Sequence, residues 1–397
     1  MSNEDTIDDS LTRRAYLTYG GAAAAGGLLA GCTGGDAESP TTGTATETSP
    51  ASAAATETPT AEDEPYSVTM EPVGTVEFES VPESVATFTP DYIEMLVALG
   101  HGDAAESVWY QNRYKTMHYG ELDGVSIDTS GLVSMWNDGI SKELFYEIDA
   151  DFHLIDPHSL TDWMDDWSQA DVDEIRRNVA PFLGNLIFRR TDDWHEYRYY
   201  TLFEAFEKVA AAFRERERYE AIRSIHQSVV ADVESRLPAP EDRPNAVLVF
   251  AGDEPEDFAP YRVSGTGANK EHFRTLGLSD AFEGTGIEGY SGSQSVDYET
   301  LLEIDPDALL LRYHGNKTRE EFEDTTVSYV RDHDLGSELS AVQNDMVFRG
   351  SPIYCGPLHN LFMIERYATG LYPEEFTEDQ LFDRDRLATI ITEGVEE

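Results

Sequence analysis

Between residues 66 and 397, apolar runs alternate with amphipathic stretches, and this alternation predicts an α/β fold. Residues 84–89, 152–156 and 246–251 are short apolar runs of the kind that form strands buried on both faces. The stretch 91–99 has helical periodicity, with Asp91 as its expected N-cap, and further helices are expected through much of 159–213. Strands that alternate with helices favour mostly parallel sheets.

One longer amphipathic stretch divides this region into two halves. From Ile222 to Leu237 apolar residues recur three or four positions apart, and a proline follows. We predict a single helix over 216–237, about 33 Å long at 1.5 Å per residue. It would connect an N-terminal lobe (66–215) to a C-terminal lobe (238–397).

An internal repeat predicts that the two lobes are similar. Residues 143–159 (ELFYEIDADFHLIDPHS) and 299–315 (ETLLEIDPDALLLRYHG) share seven of seventeen residues at a constant offset of 156. Each copy has the pattern of a helix, an acidic turn, an apolar strand and a loop with a histidine. Convergence of two common helix–turn–strand units is the alternative. Two similar three-layer lobes would present their strand ends to a shared cleft, where α/β proteins bind ligands.

The first 65 residues predict export and a membrane anchor. Arg13 and Arg14 precede a Gly/Ala-rich segment that is shorter than the about 20 apolar residues needed to span a bilayer. The segment ends in LAGC at Cys32, the pattern of a lipid-attachment site. We predict a twin-arginine lipoprotein signal over 1–31 and a disordered Thr-, Ser-, Glu- and Pro-rich tether over 32–65. The lipid would hold the protein on the outer face of the cell membrane.

Composition restricts the partners further. Lys and Arg number 28 against 77 Asp and Glu, giving a formal net charge of −49. This charge excludes nucleic acid and anionic lipid headgroups as partners, because both are polyanionic. It also indicates a halophilic surface, since at 1 M salt the Debye length is only about 3 Å and repulsion is screened. With Cys32 acylated, Cys355 has no disulfide partner and is expected to fill space in the core.

In the order of these features, the chain resembles the substrate-binding proteins of ABC importers for ferric siderophores, haem and vitamin B12. Segment 85–99, both repeat copies, the 216–237 helix and residues 341–348 (AVQNDMVF) carry the resemblance. It implies a monomer that binds a small iron complex, such as a ferric hydroxamate, without cofactor or catalysis. The implied protein partners are a permease and its ATPase. In this family one glutamate on each lobe docks onto permease arginines, and the resemblance places these at Glu143 and Glu299.

Binding a bulky, often anionic chelate requires aromatic faces together with Arg or Tyr groups, rather than direct metal ligands. The loops at the predicted strand ends supply such groups. The candidate ligand-binding residues are Tyr92, Arg113, Tyr114, Trp136, His158, Trp163, Tyr261, Arg262, Tyr290, Arg312, Tyr313, His314, Arg349 and Tyr354. For each of them, an ion pair with one of the many carboxylates or a place in the core is the simpler alternative.

Other functions stay open at this stage. The ligand could be vitamin B12 or haem, or a bare zinc or manganese ion held by His158 and His314 beside Asp156. A cell-surface adhesive or structural lipoprotein could use the same fold. The sequence has no HExxH, G-x-S-x-G or P-loop motif, which argues against these classes of enzyme.

Overall fold

The computed structural model describes residues 64–136, 139–289 and 294–395, and Glu64–Glu397 forms one compact unit. The predicted signal, the tether, Cys32 and Tyr290 lie outside the described residues. No helix within the described residues has the length and apolar character that crossing a membrane requires.

Strands and helices alternate through most of this unit. The strands are β1 (Tyr66–Met70), β2 (Gly74–Phe78), β3 (Val85–Thr87), β4 (Ser107–Val108), β5 (Val133–Ser134), β6 (Phe152–Leu154), β7 (Asn245–Phe250), β8 (Asp257–Tyr261), β9 (Ser279–Asp280), β10 (Val296–Asp297), β11 (Ala308–Arg312) and β12 (Val347–Arg349). The α-helices are α1 (Pro90–Ala98), α2 (Lys142–Ile148), α3 (Pro157–Trp163), α4 (Gln169–Asn178), α5 (Leu202–Ala212), α6 (Arg216–Arg236), α7 (Glu271–Thr275), α8 (Tyr298–Ile304), α9 (Arg319–Phe322), α10 (Ser328–Asp332), α11 (Ser340–Gln343), α12 (Pro357–Leu371) and α13 (Arg384–Glu393).

The strands before α6 form a parallel arrangement. Strand β3 pairs in parallel with β6, and β4 pairs in parallel with β5. A parallel bridge between Val85 and Ala105 joins the two pairs, and another between His153 and Phe182 extends the far edge. The carboxyl ends of these strands therefore lie along one edge, while β1 and β2 form a separate antiparallel hairpin.

The strands after α6 form a larger, mixed sheet in the order β10-β8-β7-β11-β12, with β9 also paired to β7. Strands β7, β9, β11 and β12 are parallel to one another. Strand β8 pairs antiparallel with β7, and β10 pairs antiparallel with β8. The predicted α/β class with mostly parallel sheets is confirmed.

Both copies of the repeat contain the predicted helix, turn and strand, but the predicted loop with a histidine occurs only in the second: His158 lies within α3, whereas His314 lies in a loop. Helices α2 and α8 each have seven residues, and each ends at an aspartate in the left-handed region, Asp149 at φ 50° and Asp305 at φ 46°. Each turn leads into a buried strand, β6 or β11.

Two expectations about helices were wrong. The N-cap of α1 is Thr89, with Pro90 at the first helical position, so Asp91 lies inside the helix. Asp91 is buried, and burial raises the pKa of its carboxyl group to about 6. Helices also occupy less of 159–213 than expected, because residues 179–201 contain no helix.

One large apolar cluster extends through both halves of the unit. It contains Leu96 of α1, Val229 of α6, Leu248 of β7, Leu310 of β11 and Phe362 of α12. Helix α12 contacts both α1 and α6, so the C-terminal helices pack against the N-terminal half. A shared core of this kind opposes a large separation of the two sheets.

Candidate ligand-binding site between the two sheets

Aromatic side chains cover the carboxyl edge of the first sheet. Trp109 directly follows β4 and stacks on Trp163 at the end of α3, with ring centroids 5.3 Å apart. Tyr110 lies 5.2 Å from Trp109 and 5.7 Å from Trp136, which follows β5. The guanidinium of Arg113 lies 4.1 Å from the centroid of Tyr110. This edge thus offers flat apolar faces beside one cation.

The facing edge of the second sheet is rich in cations. Tyr313 follows β11, and the ammonium of Lys115 lies 4.4 Å from its ring centroid. Lys317 and Arg349, the last residue of β12, lie 5.2 and 5.8 Å from the same centroid. Tyr313 therefore lies among three positive charges contributed by loops of both sheets.

The loops of the two sheets touch at this point. The backbone N–H of Gly315 donates to the carbonyl of Asn112 at 2.8 Å, which joins the loop after β11 to the loop after β4. Beside this contact is a cavity of about 550 Å³. Its lining includes Lys115, Tyr313 and Arg349. The volume is in the range of small-molecule sites.

The electrostatics around Lys115 favour an anion. Burial, with Arg349 and Lys317 nearby, lowers the pKa of Lys115 to about 7, and its ammonium finds no hydrogen-bond partner among the described residues. Burial also lowers the pKa of His314 to about 4, and the charges of Arg113 and Lys115 add to that shift. An anionic ligand would relieve this repulsion.

Several predicted ligand residues have partners within the protein instead. The Tyr92 hydroxyl donates to the carbonyl of Asn185 at 2.7 Å, and the hydroxyls of Tyr114 and Tyr119 lie 2.8 Å apart. Both predicted tyrosines are buried, as is Tyr354, which makes an edge contact with a neighbouring phenylalanine. These rings support the site from behind.

Two predicted arginines also serve as scaffolds. Arg262 pairs with the buried Asp280 at 2.8 Å. Arg312 is 2 % exposed and donates to the carbonyls of Ser351 and Pro352 at 2.6 and 3.3 Å. Its guanidinium lies 4.8 Å from the ring centroid of Tyr261, the last residue of β8.

His158 and Trp163 belong to the aromatic segment after β6. His158 lies 3.4 Å from the Asp156 carboxylate, which raises the pKa of the imidazole, and its ring stacks 6.2 Å from Trp194. Trp163 donates its indole N–H to Asp192 at 3.0 Å. These contacts hold the aromatic segment between α4 and α5 against α3.

Glu143 and Glu299 occupy equivalent positions on the surface. Each is the second residue of its helix, α2 or α8, and each is exposed. Two such carboxylates are free to contact a partner outside the protein.

The structure brings together further residues that sequence reasoning did not select. Tyr110 and Lys115 flank Arg113 within VWYQNRYK, and their proximity to that arginine was the available signal. Glu94, His118 and His359 form the only three-member cluster of metal-ligand type among the described residues, and His158 and His314 are not part of it. Glu94, His118 and His359 lie far apart in the sequence, so no sequence motif indicates this cluster.

Comparisons with known proteins give one family model over part of the chain and several solved structures of similar fold. A family model described as periplasmic binding protein matches residues 166–354, and none of the curated proteins matches the chain. Solved structures with similar folds include the substrate-binding protein PiuA of an iron uptake ABC transporter from Streptococcus pneumoniae, at 16% identity and TM-score 0.54, covering 77% of this chain and 98% of that one.

Two further structures show the same fold. The petrobactin-binding protein YclQ from Bacillus subtilis is 16% identical with TM-score 0.53, covering 78% of this chain and 99% of its own. The haem-binding protein HmuT is 16% identical with TM-score 0.52, covering 79% and 92%. The resemblance predicted from the sequence is confirmed: the chain has the fold of the ABC-transporter substrate-binding proteins and carries the periplasmic-binding-protein pattern over residues 166–354.

Proposed function

We propose that this chain is the extracellular solute receptor of an ABC importer and that it captures an anionic ferric chelate of the siderophore type. The observation that carries the proposal is the gathering of cations and aromatic rings at facing strand ends in a chain of net charge −49. Two lobes, 66–215 and 238–397, would hold the chelate between them, with the 216–237 helix as their connection. The ligand would leave unchanged, because its release to the permease is the function.

The ligand contacts follow from the geometry. Lys115 and Arg349 both lie near the ring of Tyr313 and would bind the anionic oxygens of the chelate. Arg113 belongs to the same loop as Lys115, and together with Trp136 it would add a cation and an apolar face at the carboxyl edge of the first sheet, outside the lining of the cavity. Such an arrangement recognises the outer surface of a chelate, whose iron is already fully coordinated.

The comparisons support a receptor for an iron complex. The similar folds include proteins described as an iron uptake substrate-binding protein and a petrobactin-binding protein. A haem-binding protein is also among them, so haem belongs in any test of specificity. At 16% identity these likenesses support the fold, while the ligand chemistry rests on the cavity.

A tryptophan-fluorescence titration of the whole chain in high salt tests this proposal, because Trp109, Trp136 and Trp163 lie at the site. Ferric hydroxamates, ferric citrate, haem, cobalamin and bare Zn²⁺ or Mn²⁺ are added in turn. We expect quenching by one ferric chelate. Arg349→Ala should weaken binding about 10- to 100-fold, the equivalent of a charged hydrogen bond of about 1.5–3 kcal/mol.

Arg176→Ala is the matched control, because Arg176 is an exposed arginine on α4 whose one ion pair among the described residues is with its helix neighbour Asp173. It should bind like the unmodified chain.

In the unmodified chain, binding of an anion should strengthen as pH falls toward the Lys115 pKa of about 7. Lys115→Met should remove this pH dependence. Unchanged affinity in both Arg349→Ala and Lys115→Met would contradict the proposed site.

Docking to the permease is assigned to Glu143 and Glu299, and anchoring to a lipid on Cys32 after export by the twin-arginine route. Glu143→Lys and Glu299→Lys should abolish chelate uptake into vesicles that contain the permease and ATPase, while chelate binding stays intact. The matched controls are Glu147→Lys and Glu303→Lys, which alter exposed glutamates one turn further along the same helices.

Cys32→Ala should move the protein from the membrane fraction to the medium.

A further inference from the structure

Three side chains that the ligand proposal does not use converge at one buried point. Glu94 comes from α1, His118 from the short helical segment Met117–Glu121, and His359 from the first turns of α12. Each offers a ligand atom, and these atoms all lie within 4.8 Å of one another. The residues are 2 %, 1 % and 6 % exposed, so the group is almost fully withdrawn from solvent.

The polar atoms of this group are poorly satisfied by the protein alone. Neither ring nitrogen of His118 has a hydrogen-bond partner among the described residues, although its Nε2 lies 3.2 Å from a carboxylate oxygen of Glu94. The other oxygen of Glu94 accepts the backbone N–H of His359 at 2.5 Å. Within the described residues, the ion pairs of Glu94 involve His118 alone, so no Lys or Arg neutralises this buried carboxylate. Groups left in this state normally cost free energy.

We propose that Glu94, His118 and His359 bind a divalent transition-metal ion, with Zn²⁺ as the leading candidate. Two imidazoles and one carboxylate are a donor set that Zn²⁺ accepts with its fourth position left open. The same set also suits Fe²⁺ and its neighbours in the first row. Mg²⁺ and Ca²⁺ require oxygen ligands and fit this set badly.

The geometry is close to that of a bound site. With metal–ligand bonds of about 2.0–2.2 Å, tetrahedral ligands lie about 3.4 Å apart. The 3.2 Å separation of His118 and Glu94 already matches this value. The ligand atoms of all three residues lie within 4.8 Å of one another, so a shift of at most about 1.4 Å brings a pair to the tetrahedral spacing.

The cluster also has an entry route. His118 and His359 both line the cavity of about 550 Å³ described above, so an ion in that cavity could reach the cluster. Two arginines of the same lining are neutralised: Arg384 pairs with Glu365 at 2.6 Å and with Glu121 at 3.0 Å, and Arg366 also pairs with Glu121. An ion bound here would join α1 of the N-terminal half to α12 of the C-terminal half.

Metal content tests this proposal independently of any chelate. The whole chain is purified, stripped with a chelator, equilibrated with Zn²⁺ in high salt with excess Mg²⁺, dialysed and analysed for metal. Competition with a chromophoric zinc chelator gives the affinity. We expect one tightly bound Zn²⁺ per chain, whereas weak surface binding to the many carboxylates is suppressed by Mg²⁺.

His118→Ala and His359→Ala should each weaken this site by more than about 100-fold, since even outer-shell partners of a metal contribute 10- to 100-fold. Glu94→Gln keeps the size of the side chain and should weaken it similarly, which guards against a variant that fails to fold. His272→Ala is the control, because His272 is a fully buried histidine on α7 outside the cluster. It should retain one Zn²⁺ per chain.

Absence of a tight site in the unmodified chain would overturn the proposal, and so would full Zn²⁺ binding in a folded Glu94→Gln or His359→Ala variant. Either result leaves chelate binding by Lys115 and Arg349 untouched, because no chelate is present in the experiment.

Discussion

The two repeat copies place opposite charges at the same point. Asp156 and Arg312 are equivalent at the offset of 156, and both are buried at or just after the end of a parallel strand. Asp156 accepts hydrogen bonds from the backbone N–H of Leu186 at 2.8 Å and from the hydroxyl of Tyr197 at 2.6 Å. It thereby fastens the aromatic segment between α4 and α5 to the first sheet.

Arg312 does the complementary task in the second copy. It donates to two carbonyls of the loop after β12, and that loop follows Arg349 of the proposed ligand site. A buried carboxylate thus organises N–H and O–H groups in one half, and a buried guanidinium organises carbonyls in the other. Both copies of the repeat therefore have a buried charge at this position that binds a neighbouring loop. The charge is negative where the loop presents N–H and O–H donors, and positive where it presents carbonyl acceptors.

The largest effect is expected from removing these two charges. Asp156→Ala should lower the free energy of unfolding by about 3 kcal/mol, because it leaves the Leu186 N–H and the Tyr197 hydroxyl unpaired in the interior. Arg312→Ala should cost less, about 2 kcal/mol, since it also removes a charge that is expensive to bury. Urea denaturation in constant salt measures both. Equal, negligible losses would contradict the scaffold roles.

A second prediction concerns a residue that differs between the two strands. His153 of β6 corresponds to Leu309 of β11, and burial lowers the pKa of His153 from 6.5 to about 3. In the unfolded chain His153 binds a proton near pH 6.5, whereas in the folded chain it stays neutral down to about pH 3. Stability is therefore lost as pH falls from about 6.5 toward 3. At pH 5 this loss is about 2 kcal/mol.

His153→Leu should remove that loss and make the first strand behave like the second. All other ionisable groups are the same in both proteins, so the difference in unfolding free energy between pH 8 and pH 5 isolates this ring. Identical pH dependence in the two proteins would show that His153 is not held neutral.

The smallest effect is expected at the two left-handed turn residues. Asp305 accepts hydrogen bonds from the backbone and hydroxyl of Ser340, at 3.2 and 3.0 Å, whereas the Asp149 side chain makes none within the described part of the chain. Asp305→Gly should cost about 1 kcal/mol. Asp149→Gly should change stability by less than about 0.5 kcal/mol, because glycine adopts this conformation freely but gains entropy when unfolded. Thermal unfolding compares the pair directly.

Much of the fold could be predicted because it depends on local patterns. The apolar runs of 152–156 and 246–251 correspond to β6 and β7, and the period of the long amphipathic stretch corresponds to α6, which runs from Arg216 to Arg236. Such patterns are local since burial of one face needs only the correct spacing of apolar residues. The N-cap of α1 was predicted wrongly because Asp91 resembles a cap although it is buried inside the helix.

The site was less predictable, because its members act according to their neighbours in space. Arg312 and Arg349 are both arginines at the last position of a strand. Arg312 donates hydrogen bonds to backbone carbonyls, whereas Arg349 lines the cavity. Lys115 was not predicted as a ligand residue, because its role depends on Tyr313 and Arg349, which lie far away in the sequence.

Spacing and composition within short windows were sufficient to predict the alternation of strands and helices, the repeated helix–turn–strand unit and the acidic surface. Which charges hold loops in place and which face the cavity depends instead on packing between residues far apart in the sequence. The tertiary structure alone assembled Glu94, His118 and His359, because α12 returns to pack against α1. Long-range packing sets the surroundings of a side chain, and those surroundings determine whether its charge is neutralised within the protein or left for a ligand.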